Sequence, residues 1–134
     1  MSTVNQTPIG LKRELSTSFD EALAKAPEAL KSEGFGVLTE IDVSATLKKK
    51  LDVDFRRYRI LGACHPPSAH KALSANLEVG LMLPCNVVVY EGDDQRAVVM
   101  AIDPMRTMAA GDAALAEVAR DVQQRLTRVL ERME

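Results

Sequence analysis

Two cysteines stand in matched settings and are the residues of this chain best suited to chemistry. Cys64 lies in the run Leu61 to Pro67, and Cys85 lies in the run Leu83 to Tyr90. Each cysteine stands where an apolar, strand-like run meets a proline, and the chain has no others. Thiols in such positions could bind a soft metal, exchange a disulfide or pack as small apolar groups, and residue types leave all three open.

Two histidines near Cys64 extend this set of candidate site residues. His65 follows Cys64 directly, and His70 lies about one helical turn further along a helix that Pro66 could start. If the strands bearing the cysteines are neighbours, both sulfurs could converge with an imidazole, a donor set suited to zinc or copper. We therefore expect a binding site at Cys64, His65, His70 and Cys85. The candidate metal ligands are Cys64, Cys85 and His65, and the candidate cofactors are zinc, copper or haem.

A second candidate is a weak anion site in the densest basic cluster, which includes Lys48, Arg57 and Arg59. These cations could hold a phosphate or an acidic ligand. A solvated helix face with a charged strand flank is the interpretation that we favour, since most charge runs serve solvation.

Composition limits the class of protein more than its activity. The chain has 134 residues, 46% hydrophobic and 27% charged, with a net charge of −2. This predicts one soluble domain with no bulk attraction for nucleic acid, and few aromatic residues are present for stacking bases. No secretory signal and no span of about 20 apolar residues is visible, so we expect a cytoplasmic protein that does not enter a membrane.

Strand and helix patterns alternate along the chain and predict an α+β fold. Residues 1–7 are predicted to be a flexible N-terminus, and residues 8–134 a single domain. Ser18 and Glu21 form a capping box for a helix that should end at Gly34, and Pro66 and Pro67 can begin another. The predicted strands are Ile9–Leu15, Gly36–Ile41, Tyr58–Cys64, Val87–Tyr90 and Ala97–Ile102. We therefore expect a mostly antiparallel sheet of about five strands with helices on one face.

The C-terminal segment, residues 109–134, is predicted to be a long amphipathic helix from Asp112 onward. Its apolar residues advance by three or four positions at each step. Such a helix is long for a domain of this size, so we expect its far end to meet a second copy of the chain and form a homodimer.

Five segments of the chain resemble the DUF302 family. They are Phe35–Val43, Thr46–Leu51, Tyr58–Cys64 followed by Pro66, Leu83–Glu91, and Asp103–Pro104, so that the resemblance spans about residues 8 to 108. It implies a compact α+β fold related to half of a TATA-binding-protein saddle, and homodimers. The family positions that map here are Cys64, Pro66, Pro84 and Cys85, and no catalytic role comes with them. His65 departs from the family pattern, which usually has asparagine before the proline.

Three functional hypotheses follow. The first is a module that binds or senses a small molecule or metal at a two-cysteine site. The second is a thiol-dependent redox or detoxification enzyme with Cys64 as the reactive sulfur. The third is a structural or assembly protein with both cysteines in its core.

Overall fold

A single antiparallel sheet of six strands organises the protein. The computed structural model describes residues 3–107 and 112–134. The sheet order is β1-β2-β6-β5-β4-β3, and every neighbouring pair is antiparallel. The strands are β1 (Asn5–Gln6), β2 (Gly10–Ser18), β3 (Gly36–Asp42), β4 (Tyr58–Cys64), β5 (Cys85–Glu91) and β6 (Arg96–Ile102).

The helices between the strands complete the α+β architecture. They are α1 (Phe19–Ser32), α2 (Val43–Leu51), α3 (Pro66–Ala75), the short α4 (Pro104–Thr107) and α5 (Ala113–Glu131), with a 3₁₀ helix at Leu77–Met82. The capping box that begins α1 is confirmed, because the Ser18 hydroxyl accepts from the Glu21 amide and donates to its carboxylate. Helix α1 continues through Pro27, and Gly34 with φ of +85° follows its end. No helix in the described part of the chain is long and apolar enough to span a bilayer.

The predicted α+β class is confirmed, with six strands rather than five. The extra strand is β1, which lies within the N-terminal segment that we expected to be flexible. It pairs with Lys12 and Leu11 of β2. Residues 1–2 and 109–111 of the predicted N-terminal and C-terminal segments lie outside the described residues.

One face of the sheet, here called the core face, carries the hydrophobic core. Leu11, Leu61, Val87, Val89 and Val99 lie on it, and helices α1 and α5 pack against these side chains. The C-terminal half of the apolar stripe of α5, from Val122 onward, is buried in this same core, whereas Leu115 and Ala119 are buried in a second cluster with Ala72 and Val79. Because that stripe is buried within its own chain, the length of α5 is no longer a reason to expect a dimer. The homodimer stays a prediction that the family resemblance implies.

A buried arginine fastens the end of α5 to the sheet. Arg13 of β2 points from the core face and donates from one terminal nitrogen to the carbonyls of Leu130 and Glu131, at 2.8 and 2.7 Å. The last carbonyls of a helix have no partners within the helix and carry partial negative charge. A cation there stabilises both the helix end and its docking onto β2.

We predict that Arg13→Met will lower the free energy of unfolding by about 2 kcal/mol, because it removes charged hydrogen bonds to two buried carbonyls. Urea denaturation followed by circular dichroism measures this change. Lys50→Met, on the exposed surface of α2, is the matched control and should change stability little. Equal losses in the two variants would contradict a capping role for Arg13.

Candidate functional site

An apolar cavity of about 300 Å³ lies where α3, α5 and the ends of β4 and β5 meet. Ala69, Ala72 and Leu73 of α3 form one wall, and Val118 and Val122 of α5 form another. The sheet side and the rim include Phe35, Leu38, Ala63, Cys64, Leu83, Pro84 and Cys85. Among the described residues, His65 and Ser68 are the lining residues that carry a nitrogen or an oxygen atom in the side chain. The cavity therefore suits an apolar group far better than a charged one.

The register of β4 and β5 places the two cysteines on different faces of the sheet. Ala63 pairs with Cys85, so these two residues share the core face with Leu61 and Val87. Cys64 is one position further along β4 and, by the alternation of a strand, belongs with Gly62 to the opposite face. Both cysteines border the cavity, but the thiols do not converge. The register therefore does not support the convergence of both sulfurs on one site, and the two-cysteine site stays a prediction.

The two thiols are both free and differ in their surroundings. Cys85 is buried, and burial raises the pKa of its thiol to about 11, with a smaller contribution from Cys64. At neutral pH the Cys85 thiol is therefore protonated and acts as a small apolar core group. Cys64 is half-buried at the cavity. Any thiol chemistry here would depend on Cys64 without Cys85 as a resolving partner.

His65 begins α3 as its N-cap. Its Nδ1 atom lies 2.6 Å from the Ser68 hydroxyl and accepts from the Ser68 amide at 3.4 Å. The imidazole ring packs against Phe35, with centroids 5.5 Å apart. Its other edge lies against Gly34, where a β-carbon would come within 2.9 Å of Cδ2. A side chain at position 34 would therefore displace the ring that shapes this end of the cavity.

The first turn of α3 has no free backbone donors to offer a ligand. Pro66 and Pro67 occupy its first two positions and have no N–H group. The next amide, of Ser68, donates to His65 Nδ1, and the amide of Ala69 donates to the His65 carbonyl at 3.0 Å. A helix start usually favours anions through such donors. Here the donors are missing or occupied, so the start of α3 offers little stabilisation to a Cys64 thiolate.

Burial lowers the pKa of His65, and the neighbouring charges modify this effect. Arg125 and Lys71 lower the pKa further, whereas Asp121 and Glu33 raise it. The imidazole is therefore neutral at neutral pH, with Nδ1 available as an acceptor for Ser68. A neutral ring agrees with the apolar lining of the cavity.

The expected metal site is not formed. Among residues 3–107 and 112–134, no group of three or more His, Cys, Asp and Glu side chains could hold a metal ion. Cys64 and Cys85 lie on different faces, and Nδ1 of His65 serves as the helix cap. His70 is exposed on α3 and does not line the cavity. The structure therefore does not place His70 among the residues of this cavity, and its role in a site stays a prediction.

The three cations of the predicted anion site do not form one site either. Lys48 pairs with Asp52 and Asp54. Arg57 pairs with Asp20 and Glu91 and lies over the Phe19 ring, whereas Arg59 pairs with Glu40 and Asp42. Each cation is thus matched by two carboxylates of its own chain, which favours the interpretation of a solvated, ion-paired surface.

A larger depression of about 600 Å³ lies elsewhere, between β2 and the β5–β6 hairpin. Its lining carries charges of both signs, and two of its arginines are already paired, Arg56 with Asp93 and Arg96 with Asp94. Charges that neutralise each other select no particular ligand. We therefore consider the smaller apolar cavity the better candidate site.

Sequence reasoning missed most of the residues that build the cavity. Ser68 stands three positions after His65, the spacing at which a cap and a side chain in the first turn contact each other. That signal was present but unusual, because histidine is not among the common N-cap residues. Val118 and Val122 belong to the regular apolar stripe of α5, which predicts burial without indicating that part of the buried surface lines a cavity.

We predict that the protein loses stability as the pH falls below about 6.5, the ordinary pKa of histidine. The pKa of His65 is lower in the folded state, so the unfolded chain binds more protons in this range and acid favours unfolding. His65→Asn keeps a capping side chain but cannot titrate, and its unfolding free energy should depend less on pH. His70→Asn is the matched control. Denaturation curves at neutral and mildly acidic pH give the change in unfolding free energy for each variant. If this change is the same in His65→Asn and His70→Asn, His65 is not the group responsible.

Comparison with known proteins identifies the family. No protein with a curated description matches this chain. A crystal structure of an uncharacterised conserved DUF302 protein from Bacillus stearothermophilus is 35% identical, with a TM-score of 0.85 over 92% of this chain and 96% of that one. The family described as "Domain of unknown function DUF302" matches residues 11–133, nearly the whole length of the chain. The fold, the length of the match and the sequence identity agree, and the chain belongs to the DUF302 family.

Proposed function

We propose that this protein is a binding module for a small hydrophobic molecule, held in the cavity between α3 and α5. The observation that carries this proposal is the character of the cavity, which is about 300 Å³ in volume and lined almost entirely by apolar atoms. Apolar space of this kind is costly to leave open, because the side chains around it lose packing contacts. A hydrophobic ligand would restore those contacts and bury further apolar surface.

The size of the cavity supports a small ligand. Small-molecule sites usually have volumes of about 300–1,000 Å³, and this cavity is at the lower end. A ligand of up to three aromatic rings or a short alkyl chain agrees better with this volume than a haem does. The absence of a cluster of metal ligands in the described ranges also favours an organic ligand over zinc or copper.

The thiol-dependent enzyme is the weaker hypothesis. Cys64 borders the cavity and could meet a bound molecule. However, the donors that would stabilise its thiolate at the start of α3 are absent or occupied, and Cys85 is buried and protonated. The cavity therefore supports binding better than it supports redox chemistry.

N-Phenyl-1-naphthylamine, an uncharged fluorescent probe of hydrophobic sites, tests the proposal. We predict that its fluorescence rises on mixing with the protein and that Ala69→Leu reduces its affinity at least about tenfold, because the larger side chain fills cavity volume. Ala69 lines the cavity and is half-buried, so the new side chain can enter the open space.

Ala75→Leu is the matched control, since Ala75 lies at the exposed end of the same helix and outside the cavity lining. It should bind the probe as the wild type does. Probe binding that survives Ala69→Leu unchanged would place the dye on another surface and refute the proposal. Thermal unfolding of both variants checks that each remains folded.

We also propose that the chain forms a homodimer through the sheet face opposite the core, here called the outer face. Ile41, Ile60, Val88 and Met100 form one row across this face, and Tyr58 stacks on Tyr90 in the next. All six are half-buried or exposed in the single chain. Lys12 pairs with Met100 and continues the first row, and Glu14 pairs with Val98 and continues the second. A two-fold axis could therefore bring Lys12 of each copy close to Glu14 of the other at the border of the apolar rows.

Val88→Lys places a charge at the centre of this row and should weaken self-association at least about tenfold, because an unpaired charge would be buried in the contact. Sedimentation equilibrium over a range of concentrations gives the association constant. Leu77→Lys, at a residue that is 85% exposed on the 3₁₀ helix, serves as control. A wild-type protein that remains monomeric at the highest concentration would refute the dimer.

A further inference from the structure

We infer that the cavity between α3 and α5 selects uncharged ligands and discriminates against anions of the same shape. This inference rests on the proposed function, since it names the class of ligand for the same cavity. It depends on how the start of α3 is built, and this feature distinguishes the cavity from the usual site at a helix N-terminus.

A helix N-terminus attracts anions through backbone N–H groups and the helix dipole. At α3 the first two positions are proline, and the third amide, of Ser68, donates to His65 Nδ1. The Ser68 hydroxyl is also engaged, since it lies 2.6 Å from the same nitrogen. In this turn the amide and the hydroxyl of Ser68 already contact His65 Nδ1, so they are not available to a carboxylate that enters the cavity.

Cationic side chains do not compensate for the missing donors. Arg125, which lies close enough to His65 to influence its charge, donates to Asp121 at 2.9 Å and to the Glu33 carbonyl at 3.1 Å. Lys71 is exposed on α3 and does not line the cavity. The Nε2–H group of the neutral His65 ring lies against Gly34, and a buried anion without a counter-charge keeps most of its desolvation cost.

The neutral state of His65 agrees with this selection. Its ring is held between Phe35, Gly34 and Ser68. A proton on Nδ1 would end its role as acceptor for the Ser68 amide, so the cap itself favours the uncharged ring. The cavity thus has no resident charge with which an ionised ligand could pair.

Displacement of N-phenyl-1-naphthylamine by 1-octanol and by octanoate tests the inference at neutral pH, where octanoate is ionised. The two competitors have chains of the same length and differ in charge. We expect 1-octanol to displace the probe at a concentration at least about tenfold lower than octanoate, because the carboxylate must be desolvated without donors. Equal displacement by both would overturn the inference and leave the proposed function intact.

Failure of the proposed function would look different, because then the probe would not bind, or neither competitor would displace it. Pro67→Ala supplies a separate test, since it adds one backbone N–H to the first turn of α3. The ratio of octanoate to octanol affinity should rise at least about threefold in this variant. Pro8→Ala, which lies before β2 and outside α3, is the control. An unchanged ratio in Pro67→Ala would show that the missing donors are not the cause.

Discussion

The pairing of Ala63 with Cys85 is the constraint on which both the core and the candidate site depend. Since side chains alternate along a strand, this one register decides which residues of β4 and β5 face α1 and α5. It places Leu61, Ala63, Cys85 and Val87 inside and leaves Cys64 with the opposite face. A shift by one residue would expose this part of the core and bring the other set of side chains inward.

The cavity exists because two separately anchored helices, α3 and α5, meet beside that register. Helix α3 begins at His65, whose ring rests on Gly34 and Phe35. Helix α5 is anchored at its far end by Arg13 of β2, the strand next to the sheet edge that lies opposite β3. Because each helix is fixed by its own contacts, the space between them does not need to close completely. We expect a ligand in this space to add packing contacts to a fold that forms without it.

Local signals predicted the elements of the fold well. The Ser18 cap of α1 and the prolines at the start of α3 act over a few residues, and the structure confirms both. The site was harder to predict. Sequence periodicity assigned Cys64 to the face of Gly62 and Cys85 to the face of Val87, but the pairing between strands was needed to show that these faces differ. Likewise, the stripe of α5 predicted burial without identifying the partner surface.

By itself, the sequence determined the fold class, the family, the starts of α1, α3 and α5, and the candidate residues around Cys64, because caps, prolines and hydrophobic periods act through neighbouring residues. Only the tertiary structure decided that the two cysteines separate, that His65 caps a helix and that α5 closes a cavity instead of leaving its stripe for a partner. These outcomes depend on contacts between residues distant in the chain, where register and packing, rather than local preference, select the arrangement.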